Sequence, residues 1–234
     1  MRHFRENFVY LHGLLSYADI MMTEQRRILM DKFDKQQLAS LPRAVFTGRI
    51  IVIDTEREAE KAVAYLMRQP LLGFDTETRP TFRPGPMHPV ALLQVSTLDT
   101  CFLFRLNIID IPDCLVQLLG ENDITKVALS WSDDRGQLMR RRAFKMGQFV
   151  ELQTYVRQFG IEDMSLQKLY ANIFGEKISK TQQLTNWEAE TLTAAQKTYA
   201  ATDAWACLRL YKELERLRET NNWELKRYVE PISE

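Results

Sequence analysis

Histidine and cysteine are scarce in this chain of 234 residues, which holds three of each. Cys101, Cys114 and Cys207 lie far apart and form no CxxC pair, which speaks against both a disulfide framework and a cysteine-rich zinc site. His3, His12 and His88 form no HExxH motif or other compact cluster. Net charge is missing as well: 31 Lys and Arg balance 31 Asp and Glu. A globally basic wrapper of nucleic acid is thereby excluded, while a local basic patch beside an acidic metal site is not, because opposite charges cancel in the sum. No apolar run reaches the length of a membrane-spanning helix. Arg5, Glu6, Asn7 and His12 break up the start of the chain, so no signal-peptide core forms there. These absences predict a reduced, cytoplasmic compartment and no membrane partner. What is present is an ordinary globular composition, 45% hydrophobic and 26% charged. A compact fold of this size buries roughly 70% of its extended-chain surface, enough for one substantial core.

Three regions are read along the chain: a helical N-terminal extension over 1–47, a main domain over 48–220 and a C-terminal tail over 221–234. In the extension, a polar helical stretch opens at Thr23 with apolar positions at Ile28, Leu29, Phe33 and Leu38, and Pro42 closes it. The main domain alternates strand and helix patterns. Ile50–Ile53, Leu71–Asp75, Val90–Ser96, Cys101–Phe104, Ile124–Ser130 and Phe149–Leu152 read as strands. Thr55 with Glu58, and Thr193 with Gln196, are capping-box signatures for helix starts. Pro112 marks another start, where proline loses no hydrogen bond. Asp134 to Lys145 reads as helical, and everything from Ser165 onward as helix or loop. No internal repeat or low-complexity tract interrupts this α/β pattern.

Three acidic constellations carry chemistry. Asp75 and Glu77 are two apart at a strand end, so their carboxylates share a face and repel unless a cation or proton intervenes. A hard divalent ion would satisfy them with oxygen ligands. Tyr199 and Asp203 stand at i and i+4 in an alanine-rich helix, which sets the phenol beside the carboxylate. Asp133 and Asp134 follow a strand at a helix start, where one can cap while the other faces a cleft. Each also has a plain structural reading: an exposed acidic strand end, a Tyr–Asp hydrogen bond and an N-cap.

Taken in order, DxE at a strand end, DxxxL after a later strand and YxxxD in a late helix resemble the DEDD superfamily of 3′–5′ exonucleases. The likeness is to its tyrosine-containing subclass, which includes ribonuclease D and the Werner-syndrome exonuclease domain. Leu72–Glu77, Val90–Ser96, Ser165–Leu169, the Lys180 region, Thr185–Trp187 and Tyr199–Trp205 carry the likeness, which spans roughly Gly48 to Leu217. The resemblance implies a ribonuclease H-like fold, a mixed five-stranded sheet flanked by helices. It implies two divalent ions, Mg²⁺ or Mn²⁺, held by Asp75, Glu77, Asp134 and Asp203, with Tyr199 orienting the attacking water. The DxxxL register selects Asp134 with Leu138 and leaves Asp133 as the cap. Two ions about 3.5–4 Å apart clamp nucleophile and leaving oxygen at phosphorus, so no histidine base is needed.

The reaction so implied releases nucleoside 5′-monophosphates from DNA or RNA 3′ ends, single-stranded or overhanging. The alternative is a nucleic-acid-binding or interaction protein that keeps the fold with little turnover. Thr76, Arg135, Lys180 and His88 are candidate substrate contacts, with Phe82 and Met87 available to stack on a terminal base. Six basic residues, Lys126, Arg135, Arg140, Arg141, Arg142 and Lys145, are read as a patch that attracts the phosphate backbone. Trp187 and Trp205 are expected to pack around the last helix. The three cysteines read as small buried hydrophobes, and Asn107 and Asn122 as turn residues.

Overall fold

Every residue of the strand Val90–Ser96 is buried, so this segment needs cover on both faces. It lies inside a mixed six-stranded sheet. In this computed structural model, which describes residues 26–82 and 87–229, eight strands are present. They are β1 (Arg27–Met30), β2 (Arg49–Ile53), β3 (Leu71–Thr78), β4 (Val90–Ser96), β5 (Thr100–Phe104), β6 (Thr125–Ala128), β7 (Val150–Glu151) and β8 (Trp223–Lys226). The main sheet runs in the order β2-β5-β4-β3-β6-β7. β3 pairs antiparallel with β4, and β4 with β5; β2–β5, β3–β6 and β6–β7 are parallel.

Seven α-helices cover the sheet: α1 (Glu56–Leu66), α2 (Leu106–Ile109), α3 (Asp113–Gly120), α4 (Trp131–Arg141), α5 (Leu152–Tyr155), α6 (Leu166–Phe174) and α7 (Ala194–Thr220). Both capping boxes form: Thr55 with Glu58 opens α1, and Thr193 with Gln196 opens α7. Pro112 is the N-cap of α3. On one face of the sheet, α1 and α3 pack over Phe74, Leu93, Val95 and Phe104. On the other lies α7, with Ala200 and Ala201 fully buried against Leu92 and Leu103.

One contact sets the distance between α7 and the sheet. A Cβ on Gly73 would stand 2.1 Å from the carbonyl oxygen of Ala204 and 2.8 Å from Cβ of Leu208. Only the absent side chain lets the helix backbone touch β3. Alanines on the facing turns complete the fit.

The mixed sheet flanked by helices agrees with the sequence. The implied five strands become six, because the two-residue β7 pairs parallel with β6. The extension and the tail differ from expectation. Thr23 lies outside the described residues, Arg27–Met30 is a strand rather than a helix, and the helical part that follows is the 3₁₀ turn Lys35–Ser40. β8, in a tail read as helix or loop, pairs in parallel with β1 in a separate two-stranded sheet. The Asn172 side chain finishes the other edge of β1: its Oδ1 accepts from Met30 N at 2.8 Å and its Nδ2 donates to Met30 O at 2.7 Å. Among the described residues, no helix is long and apolar enough to cross a membrane.

Candidate active site

β3 delivers Asp75 and Glu77 to one face by simple alternation. α7, held close by Gly73, brings Asp203 against them. One carboxylate oxygen from each of the three residues lies within 4.8 Å of the other two. Such a group is electrostatically unstable without a cation or protons. Burial pushes the carboxyl of Asp75 well up from its ordinary value, and Asp203 and Asp134 add to the effect. Glu77 is raised by burial, then by Asp75, Asp203 and Asp134. Asp203 is raised by burial, partly offset by the Tyr199 phenol and the Lys180 ammonium. Among the described residues, its buried Oδ1 has no hydrogen-bond partner. A hard all-oxygen donor set with an orphaned buried oxygen fits a divalent ion.

Tyr199 stands one turn before Asp203. Burial and the neighbouring carboxylates of Asp203, Glu77 and Asp75 hold its phenol above the ordinary range, so it stays protonated. Asp134 enters from α4. Its Oδ1 accepts a hydrogen bond from the Thr76 hydroxyl at 2.6 Å. Burial raises its carboxyl to about 6, with Thr76 opposing the rise.

The start of α4 differs from its sequence reading. Its N-cap is Ser130, in the left-handed region at φ 59° with no side-chain cap of its own. The cap comes from Glu151 at the end of β7, whose carboxylate accepts from the backbone N–H of Ser130 at 2.9 Å and of Trp131 at 2.7 Å. Asp133, expected to cap, is an exposed first-turn residue. Glu151 thus fixes the turn that carries Asp134, a role the local sequence does not signal. Gln94 carries no local sequence signal either. It pairs across the sheet with Asp75, fully buried, and among the described residues neither of its side-chain polar atoms is bonded.

Asp75, Thr76, Glu77, Lys180, Tyr199 and Asp203 line one cleft of about 350 Å³. Two candidate substrate residues lie away from it. His88 faces Glu188, with Nδ1 3.5 Å from Oε1, and Arg79 pairs with the same carboxylate at 3.2 Å. Arg135 lines a different groove. Phe82 and Met87 are exposed.

The expected basic patch does not exist as one surface. Lys126 is 1% exposed and donates to the carbonyls of Leu118, Leu119 and Glu121. Arg141 is engaged by Asp110 and by the carbonyls of Val90 and Leu106, and Arg142 by Asp113 and the carbonyl of Ile111. Trp187 is buried and Trp205 packs on Phe46, as expected. Cys101 and Cys207 are buried, whereas Cys114 is only half-buried.

Against known proteins, residues 50–219 match the family described as 3′–5′ exonuclease, a span that holds all five of Asp75, Glu77, Asp134, Tyr199 and Asp203. The chain belongs to the 3′–5′ exonuclease family. Among exonuclease relatives, it is 31% identical over 191 residues to the bifunctional 3′–5′ exonuclease/ATP-dependent helicase WRN of Mus musculus. That alignment covers 77% of this chain and 14% of the mouse protein, so the chain spans a small part of that relative's length. The EXO domain of Nibbler from Aedes aegypti superposes with a TM-score of 0.66 at 21% identity, covering 75% of this chain and 91% of that one. RNase D of Escherichia coli, described as an exoribonuclease involved in structured RNA processing, gives 0.65 at 21% identity over 76% of this chain and 46% of its own. At such identities the two structures establish the shared ribonuclease H-like fold.

Proposed function

We infer that the chain hydrolyses the terminal phosphodiester at the 3′ end of DNA or RNA and releases a nucleoside 5′-monophosphate. The observation that carries this reading is the convergence of Asp75, Glu77 and Asp203 within 4.8 Å in an open cleft. These three residues would hold Mg²⁺ or Mn²⁺, with Asp134 supporting a second ion. When bound, such ions supply positive charge at the phosphate and acidify a bound water. Tyr199, kept protonated by its surroundings, is suited to donate a hydrogen bond and orient the attacking water rather than to act as a base. Lys180, exposed at the cleft, would meet a phosphate oxygen. As the water oxygen bonds to phosphorus, the bond from phosphorus to the 3′ oxygen breaks and the shortened strand keeps a 3′-hydroxyl. The cleft, about 350 Å³, is of a size for a terminal nucleotide, and the end it takes is read as single-stranded or overhanging.

The test uses DNA and RNA oligonucleotides labelled at either end, incubated with Mn²⁺ or Mg²⁺. Mononucleotides should appear from the 3′ end, EDTA should stop their release, and Asp75→Ala should lower kcat/KM by at least about a hundredfold. Release that resists EDTA, persists in Asp75→Ala, or begins with internal cuts would overturn the reading.

A further inference from the structure

The helix that carries Asp134 offers a second surface beside the cleft. Trp131 and Arg135, one turn apart on α4, line a groove of about 580 Å³ with Asn122 and the segment 145–149. Among the described residues, no acidic one lines it. Arg135 and Lys145 are both exposed, and among the described residues neither has a hydrogen-bond or ion-pair partner. The contrast lies at the end of the same helix, where Arg141 and the C-cap Arg142 are paired with Asp110 and Asp113. Arg135 and Lys145 therefore present uncompensated charge to a common space.

The groove is also built from behind. Trp131 and Phe149 stack at 4.2 Å between centroids, and the Lys126 ammonium lies 4.9 Å from the Phe149 ring. The donors of Lys126 are engaged by carbonyls, so it adds positive field rather than contacts. Trp131 is 4% exposed and forms the floor of the groove with Phe149.

Unpaired cations, absent carboxylates and an aromatic floor together describe a receptor for a polyanion. We propose that this groove is a second nucleic-acid contact, holding backbone phosphates of the single strand upstream of the 3′ end that occupies the cleft. The proposal rests on the exonuclease reading for its orientation: Asp134 lies within the turn bounded by Trp131 and Arg135, so a strand leaving the cleft over the start of α4 meets the groove. The contacts are to phosphate and read no sequence.

The experiment measures anisotropy of labelled oligothymidylate and oligouridylate in EDTA over a series of salt concentrations, with turnover of a dinucleotide in Mn²⁺ followed separately. The double variant Arg135→Glu, Lys145→Glu should weaken binding of the long strands by about tenfold or more. Its slope of log K against log salt should be shallower by about 1.4, since each phosphate contact on a single strand contributes about 0.7. Dinucleotide turnover should stay unchanged, and Arg135→Lys, Lys145→Arg should retain most of the long-strand affinity. An unchanged salt slope, or dinucleotide turnover falling in parallel with long-strand affinity, would overturn the proposal. A shallower slope in a protein that cleaves nothing would support the groove and overturn the reading of the cleft. The thymidylate and uridylate arms separate DNA from RNA as the strand held.

Discussion

Thr76 lies between the two carboxylates of β3 and directs its hydroxyl to Asp134, 58 positions further along the chain. The bond favours the ionised form of Asp134 and opposes the rise that burial imposes. Thr76→Val keeps the volume and removes the donor. Activity supported by Mn²⁺ should fall about 10- to 100-fold, as for other partners that orient a metal-binding side chain. Thr76→Ser should restore most of it, and a Mn²⁺ titration of both variants checks the order. Equal activity in Thr76→Val and the parent would show that Asp134 needs no such support. At this scale Asp75 and Glu77 were legible because alternation along a strand is a local rule, and Tyr199 with Asp203 because helical spacing is another. The partner of Thr76, the buried amide of Gln94 and the capping carboxylate of Glu151 were not, since each acts across strands or between elements distant in sequence.

Elements whose ends are written in neighbouring residues were readable: α1 and α7 start at capping boxes, and α3 starts after Pro112. The start of α4 was misplaced because its cap is supplied from β7. β1 reads as helix in the sequence because its three apolar residues, Ile28 to Met30, are too few to show a decisive period, and its partner β8 comes from the opposite end of the described chain. Packing between elements has one sharply defined point. Gly73→Ala would drive a methyl group into the Ala204 carbonyl, and the obstacle is backbone rather than a movable side chain. Helix α7 must shift away from β3. A loss of about 1–3 kcal/mol is expected from overpacking, and thermal melts measure it. Activity should fall further than stability alone explains, because Asp203 rides on the displaced helix. A variant that loses stability yet keeps full kcat would show that the carboxylates tolerate the shift.

A chain with no net charge overall holds a strongly unbalanced centre. The carboxyl groups of Asp75, Glu77, Asp134 and Asp203 are all raised from ordinary values of 3.8 and 4.5, burial being the first cause for each. Where the folded value exceeds the unfolded one, the folded state binds more protons, so stability is full at low pH and falls as pH rises between the two values. For Asp134 that window runs from 3.8 to about 6, and the raised value of Asp203, about 7, extends it upward. In EDTA the melting temperature should therefore carry a downward contribution over this range. Asp203→Asn should flatten it, and added Mg²⁺ should raise the melting temperature most at the alkaline end, where protons no longer compete. Identical pH profiles for the parent and Asp203→Asn would contradict the linkage. Lys126 extends the same physics to a cation. Burial lowers its ammonium to about 8, which leaves an appreciable unprotonated fraction near neutrality, yet the side chain is 1% exposed. A short pulse of acetic anhydride should acylate Lys145 and Lys180 at once and reach Lys126 only when the corner between α3 and β6 comes apart. The rate at which Lys126 gains its acetyl group then becomes a clock for local breathing of the fold.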